Sequence, residues 1–244
     1  MTAVGELAQA VRSLIFPASC VTCRSPLAWK GRGDSPLCRG CFEGLPWSDP
    51  PWCRRCGRSL AGLGTGVDRC ADCRQRNRLF DQAISACSYE GGAKTLIQEL
   101  KYRGRLGLAP FLGRLLAQLV RERLGDDPAD AVVPVPLHPT RFRDRGFNQS
   151  GLLARAVADR LHLLVLPRLL IRQKPTLPQA QLPREERLAN VQGAFGVRED
   201  PLIRMGRILL VDDVFTTGAT AEACAQLLKQ AGAGRVFVVT FAQG

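Results

Sequence analysis

Eight of the ten cysteines fall in four C-x-x-C pairs: Cys20/Cys23, Cys38/Cys41, Cys53/Cys56 and Cys70/Cys73. Fourteen residues separate the first two pairs and thirteen the last two, so one unit is written twice. Two such knuckles at this spacing can close a tetrahedral four-thiolate site around Zn2+. A disulfide framework would need an oxidising compartment. The N-terminal stretch VGELAQAVRSLIF, interrupted by Glu6 and Arg12, makes a poor secretory signal. A thioredoxin-like redox pair is a weak fit, because no βαβ pattern surrounds these cysteines. The expectation is two structural zincs, with the first four cysteines on one and the last four on the other. Interleaved ligands, or a single zinc, are the remaining arrangements.

The metal has a physical reason. Residues 1–78 carry few large apolar side chains among many glycines and prolines, so they cannot bury much core without a staple. Trp29, Trp47 and Trp52, the only tryptophans of the chain, all lie there. They either fill a miniature core or, beside arginines, offer a surface on which bases stack. Cys87, in an alternating stretch, and Cys224, in a helical-period one, read as buried small hydrophobes.

After the basic run Arg74–Arg78 the composition changes, which places a boundary between residues 1–78 and 79–244. Downstream, strand patterns at 82–89, 131–135, 163–166, 207–211 and 235–241 alternate with helical ones at 93–101, 108–123, 149–161 and 220–231. That alternation predicts an α/β fold with a mainly parallel sheet and flanking helices. No stretch is long and apolar enough to span a bilayer, so the expected setting is cytoplasmic, without membrane insertion. The formal charge of +12, with 29 of the 34 basic residues arginine, favours anionic partners.

The stretch ILLVDDVFTTGAT, Ile208–Thr220, joins these elements to chemistry. An apolar strand ends in Asp212 and Asp213, and Thr216, Thr217, Gly218, Ala219 and Thr220 open the next helix. Ligands of such sheets sit at the carboxyl ends of the strands. A helix N-terminus with glycine and hydroxyls cradles an anion. Two carboxylates beside it would repel a phosphate alone, but they suit a ligand that also presents hydroxyl donors. The implied ligand class is a sugar phosphate. Helix capping explains one threonine, not an acidic pair at a strand end.

This stretch resembles the 5-phosphoribosyl pyrophosphate (PRPP) motif of type I phosphoribosyltransferases. Together with VVPVPLHPTRFRDRGFNQS (Val132–Ser150), IRQKPTLPQAQLPREERLANVQGAF (Ile171–Phe195) and the paired knuckles, the chain resembles the ComF family. Those proteins are competence-associated and amidophosphoribosyltransferase-like, with an N-terminal double zinc ribbon. The resemblance implies that Asp212 and Asp213 hold the ribose hydroxyls and that Thr216–Thr220, with Val214 beside them, bind the 5′-phosphate. It implies that Pro136, Leu137 and His138 form the pyrophosphate loop, that Arg172–Asn190 is a loop closing over PRPP, and that Mg2+ travels with PRPP. Candidate cations for the pyrophosphate are Arg172, Lys174, Arg184 and Arg187, with Arg141, Arg143 and Arg145 besides. Arg145, Asn148 and Gln149 are expected to face the site; His138 is either a ligand contact or a turn residue. Three functions suit this arrangement: a transferase with an unidentified acceptor, a PRPP or nucleotide sensor without turnover, and a module gripping single-stranded DNA beside the DNA-uptake machinery.

Overall fold

The computed structural model describes residues 18–27, 35–64, 66–126, 128–174, 191, 193–204 and 206–244. The elements of the α/β part are β1 (Gln82–Ser88), α3 (Gly91–Tyr102), α4 (Leu108–Leu124), β2 (Ala131–Pro134), α5 (Pro139–Arg145), α6 (Gln149–Leu161), β3 (Leu164–Val165), β4 (Leu170–Arg172), β5 (Phe195–Val197), β6 (Arg207–Phe215), α7 (Ala219–Gln230) and β7 (Arg235–Gln243). Among the described residues two short helices precede them, α1 (Arg39–Glu43) and α2 (Ala71–Gln75), each starting directly after a knuckle cysteine. Five strands form one sheet in the order β1-β7-β6-β2-β3, with every pairing parallel. β4 and β5 form a separate antiparallel pair.

The central strands are apolar on both faces, as burial beneath helices on both sides requires. Ile208, Leu209, Leu210 and Val211 of β6 and Val132 and Val133 of β2 are fully buried. One face packs against α3, α4 and α6 through Leu96, Leu100, Leu112, Leu116 and Leu153. The other packs against α7 and the β4–β5 pair through Cys224, Leu228, Leu170 and Phe195. Cys87 and Cys224 are both buried, as small hydrophobes.

β6 differs from the strand expected at 207–211. It runs on through the acidic pair to Phe215, because β7 is long enough to pair with it there, Asp212 opposite Thr240 and Phe215 opposite Gln243. On its other side β2 stops at Pro134, opposite Val211. The acidic pair therefore lies in an overhang, bonded to β7 but uncovered by β2. The chain leaves β2 outward to β3 and returns on the far side as β6. This is the reversal of strand order at which open α/β sheets bind ligands.

The N-terminal segment closes the other edge. β1 is an edge strand, whose outer N–H and C=O groups would otherwise be unpaired. Ala83 N donates to Arg55 O (2.8 Å), Ser88 N to Pro46 O (2.8 Å), and Ser48 N to Ala86 O (2.9 Å). Trp47 bridges Cys87 in antiparallel fashion. Cys20, Cys38 and Cys41 of the first quartet pack on one face of the sheet with Val21, Leu37 and Leu45. The second quartet packs on the other face with Leu60 and Phe80. Trp47 stacks edge-on to Phe42 at 5.4 Å. Trp52 donates to Ser48 O and lies under the Arg123 guanidinium at 3.6 Å. Both are thus engaged in packing, while Trp29 lies outside the described residues.

Candidate functional site

The overhang of β6 meets the start of α6. Asn148 caps that helix, accepting from Ser150 N (3.1 Å) while its Nδ2 donates to Val135 O (3.0 Å). The double contact fixes the helix start against the segment after β2. It brings Ser150 Oγ to Asp212 Oδ1 (2.7 Å) and Gln149 Nε2 to Asp213 Oδ1 (3.4 Å). Asp213 N also donates to Asp212 Oδ1 (2.9 Å). From the last turn of α3, Lys101 forms an ion pair with Asp213.

The two carboxyls titrate apart. Burial, and then the adjacent Asp213 charge, push the Asp212 carboxyl up to about 7. Burial would raise Asp213 too, but Lys101 outweighs it and holds that carboxyl below the ordinary range. Like charges forced together divide a proton unequally. The pair so offers one carboxylate and one group near neutrality, able to accept from sugar hydroxyls.

Beside the pair lies a cavity of about 530 Å3. Among the described residues its lining includes Lys101, Arg141, Arg145 and Arg172 against one carboxylate, Asp144, together with His138 and the rings of Tyr102 and Phe147. Arg145 lies over the Tyr102 ring at 5.5 Å and hydrogen-bonds Gln149, so a chain of contacts runs from the cavity through Gln149 to Asp213. Burial lowers the pKa of Arg145 and of Arg172, a desolvation cost that an incoming anion offsets. Arg172 also packs over Phe195 at 5.1 Å.

The segment after β6 forms the turn that the sequence pointed to. Gly218 has φ +81°, and a Cβ there would lie 2.6 Å from Phe215 Cζ, so glycine is required. Val214, Thr216, Gly218, Ala219 and Thr220 line a small cavity of about 20 Å3 with Asp212, room for a water-sized group. Thr217 Oγ1 accepts from Ala219 N (3.4 Å).

The other candidates divide. Pro136 is buried, and Leu137 and His138 are half-buried after β2. His138 takes the turn role, its Nδ1 capping α5 by accepting from Thr140 N (3.3 Å), and its side chain also lines the large cavity. Arg141, Arg145 and Arg172 gather at the cavity. Arg143 and Lys174 are exposed and outside its lining. Arg184 and Arg187 lie outside the described residues. Sequence reasoning missed Lys101, Tyr102 and Ser150. Ser150 directly follows Asn148-Gln149 and carried a local signal; Lys101 and Tyr102, at the end of a helix far along the chain, carried none.

Each cysteine quartet has its four sulfurs within 4.8 Å of one another, grouped in sequence order. Cys23 and Cys38 Sγ are 3.6 Å apart, as are Cys56 and Cys70 Sγ. Tetrahedral Zn–S bonds of about 2.3 Å place sulfurs about 3.8 Å apart, so both quartets fit a structural zinc. The second quartet is wholly buried, whereas Cys23 of the first is exposed.

Residues 11–80 match the family model of the double zinc ribbon domain. The chain is 30% identical to competence protein F of Haemophilus influenzae, covering 91% of this chain and 96% of that protein. It is 32% identical to the DNA utilization protein YhgH of Salmonella typhimurium, covering 92% and 96%. Among solved structures it is similar to a glutamine PRPP amidotransferase from B. subtilis complexed with ADP and GMP. That likeness has 21% identity and a TM-score of 0.40 and covers 59% of this chain but only 30% of that longer one. On the strength of near-full-length relatives such as these two, this chain belongs to the competence protein F family.

Proposed function

We propose that the chain binds PRPP with Mg2+ at the β6 overhang, within a phosphoribosyltransferase-like unit of residues 79–244 stapled by a double zinc ribbon of residues 1–78. The observation that carries this reading is the overhang itself. It sets Asp212 and Asp213 between the Thr216–Thr220 turn and a cavity lined by Lys101, Arg141, Arg145 and Arg172. The acidic pair accepts from the ribose hydroxyls, the turn takes the 5′-phosphate, and the cationic cavity takes the pyrophosphate. Mg2+ would arrive with PRPP and offset its phosphate charge, so no dedicated set of protein ligands would be needed for it. Transfer from PRPP would pass through an oxocarbenium-like state at C1, and this chain would contribute position and charge. A pyrophosphate leaving group held by arginines fits that demand; the acceptor is open. The test is calorimetric titration of Mg2+-PRPP into the wild type and into Asp212→Asn/Asp213→Asn. Binding is expected in the first and lost in the second. No binding to either would sink the reading.

A second reading is favoured by one observation: Tyr102, 71% exposed, stands at the cavity with Arg141 and Arg145, the Arg145 guanidinium 5.5 Å from its ring. An exposed ring among arginines is a stacking platform for a single strand, and the relatives' names speak of competence and DNA utilization. This reading places the grip on the α/β surface, since Trp47 and Trp52 are engaged in packing. It predicts single-strand binding that weakens steeply with salt and falls in Tyr102→Ala. Salt-insensitive binding would remove it.

A further inference from the structure

The zinc ribbon reaches the phosphate turn through one buried cation. Arg78 lies in the basic run that leaves the second quartet, and it is only 6% exposed. Its NH2 donates to Asp72 Oδ2 (2.5 Å), on α2 and within the second knuckle. Its NH1 lies 3.7 Å from Glu222 Oε2, in the first turn of α7. That same NH1 would be 3.2 Å from a Cβ on Gly218, so the guanidinium packs directly against the turn. Cys73, a member of the quartet, also faces it.

Neighbouring groups leave Arg78 little freedom. Arg55 NH2 donates to Arg78 O (2.6 Å) and Arg55 NH1 to Asp81 O (2.9 Å). Leu79 N donates to Glu222 Oε1 (2.6 Å). Phe80 meets Phe215, the last residue of β6, edge-on at 5.9 Å. Gly57, at φ +72° inside the second unit, approaches so closely that a Cβ would sit 2.5 Å from Ala83 O. The connection from knuckle to turn is therefore packed throughout.

We infer that Arg78 is a positioning residue: bridged between Asp72 of the second zinc knuckle and Glu222 of α7, it holds the Thr216–Thr220 turn in its anion-receiving form and places a positive charge against it. This rests on the PRPP reading for the identity of the anion, but not for the mechanical link. A planar fork suits the role, because one guanidinium can face two carboxylates and the turn at once. Lysine, a point charge, cannot span them. The double zinc ribbon then serves the site as well as the fold, by anchoring the cation that braces the phosphate turn.

The test reads turn order and ligand affinity separately. In zinc-loaded full-length Arg78→Gln, elemental analysis should still find two zincs per chain. Amide hydrogen exchange over residues 216–220 should quicken at least tenfold while β6 residues 208–211 stay protected. Mg2+-PRPP should bind at least tenfold more weakly. Arg78→Lys should leave the exchange fast; full rescue by lysine would overturn the bridging role. Unchanged exchange at the turn in Arg78→Gln overturns the inference. If wild type binds no PRPP, the ligand reading fails, and the exchange result still decides this one. Should Arg78→Gln lose zinc or fail to fold, Glu222→Gln keeps the Asp72 pair and is read the same way: faster exchange at 216–220 supports the brace, and wild-type exchange refutes it.

Discussion

Asp212 and Asp213 are adjacent in sequence yet carry opposite electrostatic burdens. Asp212 titrates near 7, above its ordinary 3.8. Between those values the folded protein keeps a proton that the unfolded chain has lost, so this group erodes stability as pH rises through that window. Asp213 is held below its ordinary value by Lys101 despite burial. Its contribution is present at neutral pH and disappears as pH falls through its depressed range. Asp212→Asn keeps an acceptor for Ser150 and for Asp213 N while removing the burdened charge. It should gain about 1 kcal/mol at pH 8, about 2–4 °C in Tm for a chain of this size, and nothing at pH 4. Thermal melts at the two pH values check this; a variant no more stable than wild type at pH 8 contradicts it. Lys101→Met leaves Asp213, 3% exposed, without its cation. Urea unfolding should show a loss of about 3–5 kcal/mol. The double change Lys101→Met/Asp213→Asn should lose clearly less than the two single changes added together.

At the scale of elements, the glycines of α4 and α6 show how contact overrides propensity. Alanine in a helix interior is worth about 1 kcal/mol over glycine. Gly151, in the first turn of α6, has room: a Cβ would meet nothing nearer than Asn148 Cβ at 3.5 Å. Gly113 of α4 has none, since its Cβ would lie 2.3 Å from Ala156 Cβ and 3.0 Å from Ala156 C on α6. Gly151→Ala should therefore stabilise by about 0.5–1 kcal/mol, and Gly113→Ala should destabilise by about 1–3 kcal/mol through forced separation of the two helices. Opposite signs in denaturant midpoints are the expected outcome; equal signs would contradict the packing. The same contrast governs what the sequence revealed. Helices with a long apolar stripe, such as α4 and α6, were legible from periodicity, as was β7. The short α5 was not, since its seven residues bury no side chain and only His138 and Pro139 mark its start. The β4 and β5 strands, three residues each, are too short for a period to register. The length of β6 was hidden because carboxylates argue against a strand, and only the partner β7 carries it through them.

Over the whole molecule, the parallel sheet and the two quartets were readable from spacing, but their arrangement was not. Nothing in a linear spacing says that a ribbon written twice will clasp the two faces of a sheet and pair with its edge. That arrangement makes zinc a matter for the whole fold. Three backbone hydrogen bonds join 46–48 and 55 to β1, and the two cores each contain residues of one quartet. Removing metal leaves four unshielded thiolates at each core and frees an edge strand. The two sites should not surrender their metal together. Cys23 is exposed and Cys38 and Cys41 are half-buried, whereas Cys53, Cys56, Cys70 and Cys73 are all buried. With a colorimetric chelator the native protein should release one zinc per chain quickly, with the α/β unit still folded by circular dichroism. The second should leave only with global unfolding, at a rate that urea accelerates. Cys23→Ser should hold a single zinc and show only the slow phase. Release of both zincs in one phase, at a rate independent of urea, would mean that the buried quartet opens locally and that its metal is separable from the core around it.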